Sequence, residues 1–197
     1  MDFDAVIRNR KSTRKFKSKK PGWKEVLEAV DSAIQGPFAA NQNNLKFLIV
    51  EDKKRIGKIA SCCEQEWIAE SNMLVVACSD DSNLENIFGE KGRVYSRQQA
   101  GAAINTLCLK LADSGIASCW VGAYDDNALK ELLEIPEQIQ IEAVVPIGYS
   151  ENETGKKNKR SLENVLYWEK WKANRRQTVF EEQKESLGKK ILKDKVQ

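Results

Sequence analysis

The sequence predicts an α+β or α/β sandwich, and three observations carry the prediction. Strand-like and helix-like patterns alternate along the 197 residues. Two apolar runs, Met73 to Cys78 and Ile139 to Tyr149, read as strands, the first of them buried. A long helical pattern from Val94 to Ser114 carries Ala100, Gly101, Ala102 and Ala103, whose small side chains let another element pack closely. Hydrophobic residues at 41% and charged residues at 31% supply a sizeable core, so a folded, soluble chain of one domain is expected.

Asp2 or Asp4 is placed to cap a short first helix carrying Phe3, Val6 and Ile7. A basic loop follows. Trp23 to Gln35 has helical spacing, with Val26, Leu27, Val30 and Ile34 on one face, and Gly36-Pro37 stops it. Phe38 to Asn44 is a polar loop, and Leu45 to Val50 a strand. Lys53 to Glu70 holds one or two helices. After the Met73 strand, Asp80 to Gly92 is polar and contains glycine, and is read as a mobile loop. Ala117 to Val121 is a strand; Asp125 or Asp126 caps a helix with Leu129, Leu132 and Leu133 that ends before Pro136. Leu166 to Gln197 is charged and helix-prone, with Trp168 and Trp171 on one face as packing anchors. This tail is expected to lie on the body or on a partner subunit, or to fray. Trp67 and Trp120 are read as core.

Charge is unevenly placed. Eight of the thirteen residues from Arg8 to Lys20 are Lys or Arg and none is acidic, so in a chain of net charge +3 the remainder sums to −5. Guanidinium forks with Ser12 and Thr13 among them suit phosphate oxygens. That phosphate could belong to a nucleic acid, a membrane or a cofactor. A second basic loop, Lys156 to Arg160, lies far along the chain. No apolar stretch approaches the roughly 20 residues of a bilayer span, and the N-terminus lacks a secretory pattern, so a cytoplasmic protein is expected.

The five cysteines form no C-x-x-C pair and are expected to be reduced, with Cys78, Cys108 and Cys119 acting as small core residues. The absence of histidine excludes Ser-His-Asp and Cys-His catalysis and removes the commonest metal ligand. Difficult chemistry would then fall to a bound cofactor. No G-x-G-x-x-G turn or G-x-x-x-x-G-K-[ST] loop occurs.

Three separated pieces combine. They are Ile7-x-x-Arg10-Lys11-Ser12-Thr13-Arg14-Lys15-Phe16; Pro37-Phe38-Ala39-Ala40-Asn41-Gln42-Asn43 before a strand; and Ser118-Cys119-Trp120-Val121-Gly122-Ala123-Tyr124. The last is followed by Leu132-Leu133-x-x-Pro136 and a strand ending Pro146-Ile147-Gly148-Tyr149. In this order and spacing, from about Asp2 to Trp168, the chain resembles the FMN-dependent nitroreductase family.

The resemblance implies an α+β three-layer sandwich, a mostly antiparallel central sheet flanked by helices, assembled as an intertwined homodimer with two FMN molecules at the interface. It implies a flavin-binding domain over residues 1–168 and a charged C-terminal extension over 169–197, possible cover for the partner subunit. Arg10, Lys11, Ser12 and Arg14 match the segment that holds the FMN phosphate and ribitol; Lys159 and Arg160 match the basic residues that complete the clamp. Pro37, Phe38, Ala39 and Asn41 match the loop that reaches the flavin from the other subunit, and Gly122 and Ala123 the backbone beside the isoalloxazine ring. The implied activity is an NAD(P)H-dependent, ping-pong reduction of a nitroaromatic, quinone or similar small-molecule acceptor. NADH or NADPH is a transient co-substrate, and no side chain acts as catalytic acid or base.

The chain also departs from the family. Phe38 stands where a small residue is usual, Asn43-Asn44-Leu45 replaces Gln-Pro-Trp, and Gln99 replaces an acidic residue early in the central helix. These changes leave the clamp intact and alter the substrate face. They keep open a same-fold flavoprotein with other chemistry: dehalogenation, flavin destruction or dehydrogenation. A nucleic-acid binder using the N-terminal run is the remaining alternative, disfavoured by the net acidity of the rest; neither nucleic acid nor membrane is the expected partner, and no metal site is expected.

Overall fold

Met73–Asp80 forms β2, the strand on which the fold is assembled. It lies between β1 (Leu45–Val50) and β4 (Ile139–Gly148), antiparallel to both, and β3 (Ala117–Ser118) pairs with the far side of β4, giving the order β1-β2-β4-β3. The structure, a computed structural model, describes residues 2–151 and 165–171. The chain divides into two units, 1–154 and 155–197.

Both faces of the sheet are covered, which is why β2 reads as an uninterrupted apolar run. Met73, Val75 and Ala77 point to one side and Leu74, Val76 and Cys78 to the other. The first side packs on α2 (Trp23–Ala33) through Val26, Ala29 and Ala33, and on α5 (Lys91–Asp113) through Ile104, Leu107 and Leu111. The second packs on α3 (Lys53–Cys62) through Ile56 and Ile59, and on α6 (Asp126–Leu133) through Leu129. The architecture is the expected α+β sandwich, and its four strands pair antiparallel. Local chemistry starts the second-side helices: Asp52 accepts from the Arg55 N–H at 2.8 Å and Asp125 from the Ala128 N–H at 3.0 Å. Asp2 sits at the cap of α1 (Phe3–Asn9) without a side-chain capping bond.

The segment from Asp80 to Gly92 corrects the sequence reading: it is not a loop. β2 continues through Asp80, whose carboxylate accepts from the Ser82 N–H at 3.0 Å and hydroxyl at 2.6 Å and so starts α4 (Ser82–Phe88). Gly89, at φ 59°, ends α4 and lets the chain enter α5. Of the polar residues that suggest a loop, Ser82, Asn83 and Asn86 are exposed on α4, while Asp80 belongs to β2 and Asp81 is buried. The tail reading is corrected in its described part: residues 165–171 form turns and bends, not helix, with the Tyr167 and Trp171 rings 4.8 Å apart.

At the start of β4 a charged cluster ties sheet to helices. Arg97 of α5 pairs with Asp81 and, at 3.0 Å, with Glu142, which also accepts from the Ser79 hydroxyl. Burial pushes the Glu142 carboxyl above its usual range, against the pull of Ser79 and Arg97 and with help from Asp81. The folded chain therefore holds this proton more tightly than the unfolded chain. The contribution of Glu142 to stability falls as pH rises from the ordinary carboxylate range through the raised value. Glu142→Gln is expected to remove that fall and to be the more stable protein at neutral pH, as read by urea unfolding from about pH 4 to 8.

Candidate functional site

After α1 the chain runs extended beside the end of the sheet. The Thr13 N–H donates to the Ser118 carbonyl at 3.0 Å, and the Lys17 N–H to that of Tyr149 at 2.8 Å. Phe16 is buried and Thr13 turns inward, leaving Ser12 and Arg14 exposed. This register brings the first and third sequence pieces together across Ser12 and Ser118, which pair as a parallel bridge.

Cys119 follows Ser118 at this junction and is buried. Burial pushes its thiol up, while Arg14, a hydrogen bond with Ser12, and Arg10 pull it down. Burial likewise raises the Cys108 thiol behind it, opposed by a hydrogen bond with Ser118 and by Arg10. The segment that carries these two arginines and the Ser12 hydroxyl is held against the end of β3 by the Ser12–Ser118 bridge. Arg14 also lies over the Trp67 ring at 5.9 Å, which steadies its stem. No carboxylate among the described residues pairs with Arg10 or Arg14. Lys11 is half-buried and makes contacts of its own. Lys159 and Arg160 lie outside the described residues.

Gly122 and Ala123 follow directly. The Cys119 N–H donates to the Pro146 carbonyl at 3.1 Å, and Val121 and Val144 exchange backbone bonds at 2.9 and 3.0 Å, so the chain leaves the sheet at Gly122. Both residues are exposed, and a Cβ built on Gly122 would meet nothing nearer than Trp120 Nε1 at 3.9 Å. The backbone there is open to the close approach of a flat ring. Trp120 corrects the core reading. It is 43% exposed, with its ring edge toward Gly101 of α5 and its indole nitrogen toward Gly122. A tryptophan next to a strand end is apolar by composition; its position on the site's rim is set by where the two-residue β3 stops.

The second piece is held elsewhere. Pro37 is exposed, Phe38 packs against the α2/α5 core, and Ala39–Asn41 forms a 3-10 turn. Ala40 (φ 50°) and Asn41 (φ 57°) both adopt left-handed backbone, which costs a non-glycine residue free energy. Among the described residues, the side-chain bonds of this loop run to α5 and β2 rather than to the Arg10–Arg14 segment. The key partner is Gln99, whose Oε1 accepts from the Ala39 N–H at 3.1 Å while its Nε2 donates to the Gln42 carbonyl at 3.1 Å and to Asn44 Oδ1. A signal for it existed in the sequence. Gly92, Ser96 and Gln99 extend the buried stripe Ala103, Leu107, Leu111 toward the start of α5, and a polar pair on a core-facing stripe marks a buried network.

The sequence profile of the nitroreductase family matches residues 7–87 and 58–149, most of the chain and all three pieces. The chain belongs to the nitroreductase family. It is an oxidoreductase of that family by this match and by its relatives. An iodotyrosine deiodinase of Thermotoga neapolitana is 27% identical over 163 residues, 75% of this chain and 88% of that protein. An oxygen-insensitive NADPH nitroreductase of Helicobacter pylori is 23% identical over 180 residues, 73% of this chain and 85% of that protein. Among solved structures, a nitroreductase family protein of Clostridium novyi is 28% identical and superposes with a TM-score of 0.70, covering 87% of this chain and 96% of that one. Among the described residues, no helix is long and apolar enough to cross a membrane, and no cluster of side chains suits a metal ion.

Proposed function

We propose that this nitroreductase family member is an FMN-dependent oxidoreductase that takes reducing equivalents from NADH or NADPH and passes them to a nitroaromatic, quinone or similar electron-poor acceptor by alternate occupancy of one site. The observation that supports this reading is the pairing of Ser12 with Ser118, which lays the segment carrying Arg10, Ser12 and Arg14 along the end of β3, a few residues before the open backbone of Gly122 and Ala123. The donor set fits the cofactor. Two cations and a hydroxyl match a phosphate monoester of about −1.5 to −2 charge, and an open glycine backbone matches a planar ring. Lys11, and Lys159 and Arg160 from the far end of the chain, would complete the clamp.

Bound FMN would supply the hydride chemistry that this chain's side chains cannot. The chain's own work is binding, orientation and exclusion of water. Arg10 and Arg14 fix the phosphate and Ser12 adds a neutral donor. A backbone N–H at Gly122 or Ala123 would face the ring where negative charge develops. Pro37, Phe38, Ala39 and Asn41 would be contributed across a homodimer. Exposed Phe3 and Ile7 on α1, Trp23, Leu27 and Ile34 at the α2 face, and Val94 on α5 support an interface between copies. The 169–197 extension is proposed to pack on that partner, and the location to be cytoplasmic.

The visible absorption spectrum of the purified protein tests the cofactor. A flavin band, or its appearance on adding FMN, is expected; a protein that neither carries nor takes up FMN overturns the reading. Anaerobic addition of NADH and then NADPH separates chemistries, since rapid bleaching is the reductase result. The deiodinase relative favours a second reading on the same cofactor, reductive dehalogenation. Slow bleaching by both nicotinamides, with halide release from an iodophenol under chemical reduction, would select it.

A further inference from the structure

The loop that carries Phe38 and Asn41 is held by a closed amide network. Gln99 and Asn44 are both buried, and so is Ser96. Asn44 Nδ2 donates to Ser96 Oγ at 2.7 Å and to the Asp80 carbonyl at 2.9 Å, while its Oδ1 accepts from Gln99. The Asp80 N–H returns a bond to the Asn44 carbonyl at 2.9 Å. Every donor and acceptor of the two amides is used, so neither can flip without loss. The loop's two left-handed residues lie between the Ala39 and Gln42 anchors. The loop's own backbone bonds, from the Asn41 N–H to the Phe38 carbonyl at 3.0 Å and from the Gln42 N–H to the Ala39 carbonyl at 2.9 Å, close the turn, and the two Gln99 bonds fix it to α5.

We propose that Gln99 is a positioning residue for acceptor and flavin: it presets the 37–43 loop, and through it the placing of Phe38 and Asn41. This rests on the FMN reading for what the loop meets, and on the network alone for how the loop is held. An amide is required because the site asks for an acceptor toward the Ala39 N–H and donors toward two oxygens at once. A carboxylate keeps the first and sets charge against the other two; its protonated form restores one donor.

The test is Gln99→Glu beside wild type, with Gln99→Ala as the plain deletion. The protection of the 38–44 backbone against hydrogen exchange, taken relative to the intrinsic rate at each pH on flavin-free protein, should fall about tenfold in Gln99→Glu at pH 8 and recover near pH 5.5, with wild-type protection the same at both. With FMN bound, the acceptor KM should rise about tenfold at pH 8 while kcat changes less, and the flavin's visible circular dichroism should shift. A purely structural role would lower Tm and leave the KM-to-kcat split, the dichroism and the rescue at low pH unchanged. Wild-type exchange in the 38–44 backbone of Gln99→Glu at pH 8 overturns the proposal. Altered exchange with unchanged KM and dichroism overturns the flavin half of it. Failure of wild type itself to bind FMN would instead overturn the cofactor reading, leaving the exchange result to decide the link between Gln99 and the loop.

Discussion

Arg10→Ala is expected to weaken FMN binding by about ten- to a hundredfold, the loss of one or two charge-assisted hydrogen bonds at roughly 1.5 to 3 kcal/mol. Arg10 is half-buried at the end of α1 and acts on both Cys108 and Cys119, so its charge is felt inside the fold and not only in solvent. Its removal takes a cation from the proposed phosphate site without touching the ring. Fluorescence titration with FMN and with riboflavin, which lacks the phosphate, separates the two. Wild type should prefer FMN, and Arg10→Ala should lose that preference while holding riboflavin as before. Equal weakening of both ligands would place Arg10 in the scaffold rather than the clamp. Arg14 is a poorer choice for this measurement, because truncating it also removes the contact with Trp67.

Gly92→Ala is expected to cost about 3 kcal/mol or more of stability. A Cβ at position 92 would sit 2.4 Å from the carbonyl carbon and oxygen of Leu84 and 2.5 Å from the Glu85 nitrogen. All three atoms are backbone, so no rotamer change relieves the overlap and α4 must move off α5. Leu84, which α4 buries, would move with it. Gly57, inside α3, is the internal control: a Cβ there meets nothing within 4 Å, and Gly57→Ala should stabilise by about 0.5 to 1 kcal/mol through helix propensity. Urea unfolding of the two variants should therefore shift in opposite directions. A Gly92→Ala midpoint equal to wild type would show that α4 does not pack as described.

Much of the fold was legible from the residues. Leu45–Val50 was read with its observed bounds, and the strands at Met73 and Ile139 were found because both faces of a central strand are apolar. α6 was found from its capping aspartate and the proline beyond it. The Asp80–Gly92 segment reads as a loop in sequence because the signals for a loop and for a short helix joined at a glycine to a long one are the same residues: aspartate, serine, asparagine, glycine. Only Leu84, Phe88 and Tyr95 at helical spacing argue for helix, and their value depends on packing. Phe88 meets Tyr95 edge to face at 5.1 Å, a contact between α4 and α5 that forms only once Gly89 has turned the chain.

The candidate site divides along the same line. The ordered pieces around Arg10, Phe38 and Gly122 singled out the residue types, since phosphate, flat ring and close backbone each demand particular chemistry wherever the chain places them. In the sequence Gln99 stands out only as a departure from the family pattern, and Trp120 reads as core although it is 43% exposed.

What the residues alone determined is the inventory: cations and a hydroxyl grouped at one end, an apolar pattern that fills two faces of a sheet, and no histidine. What tertiary structure decided is adjacency. The pairing of Ser12 with Ser118 puts the Arg10–Arg14 segment beside the chain that leads to Gly122, and the reach of Gln99 across to Ala39 and Gln42 ties a loop with two left-handed residues to α5. Composition is a property of each residue, whereas adjacency arises when burial of the shared core brings distant segments into register. Residues 106 positions apart can then act at one place.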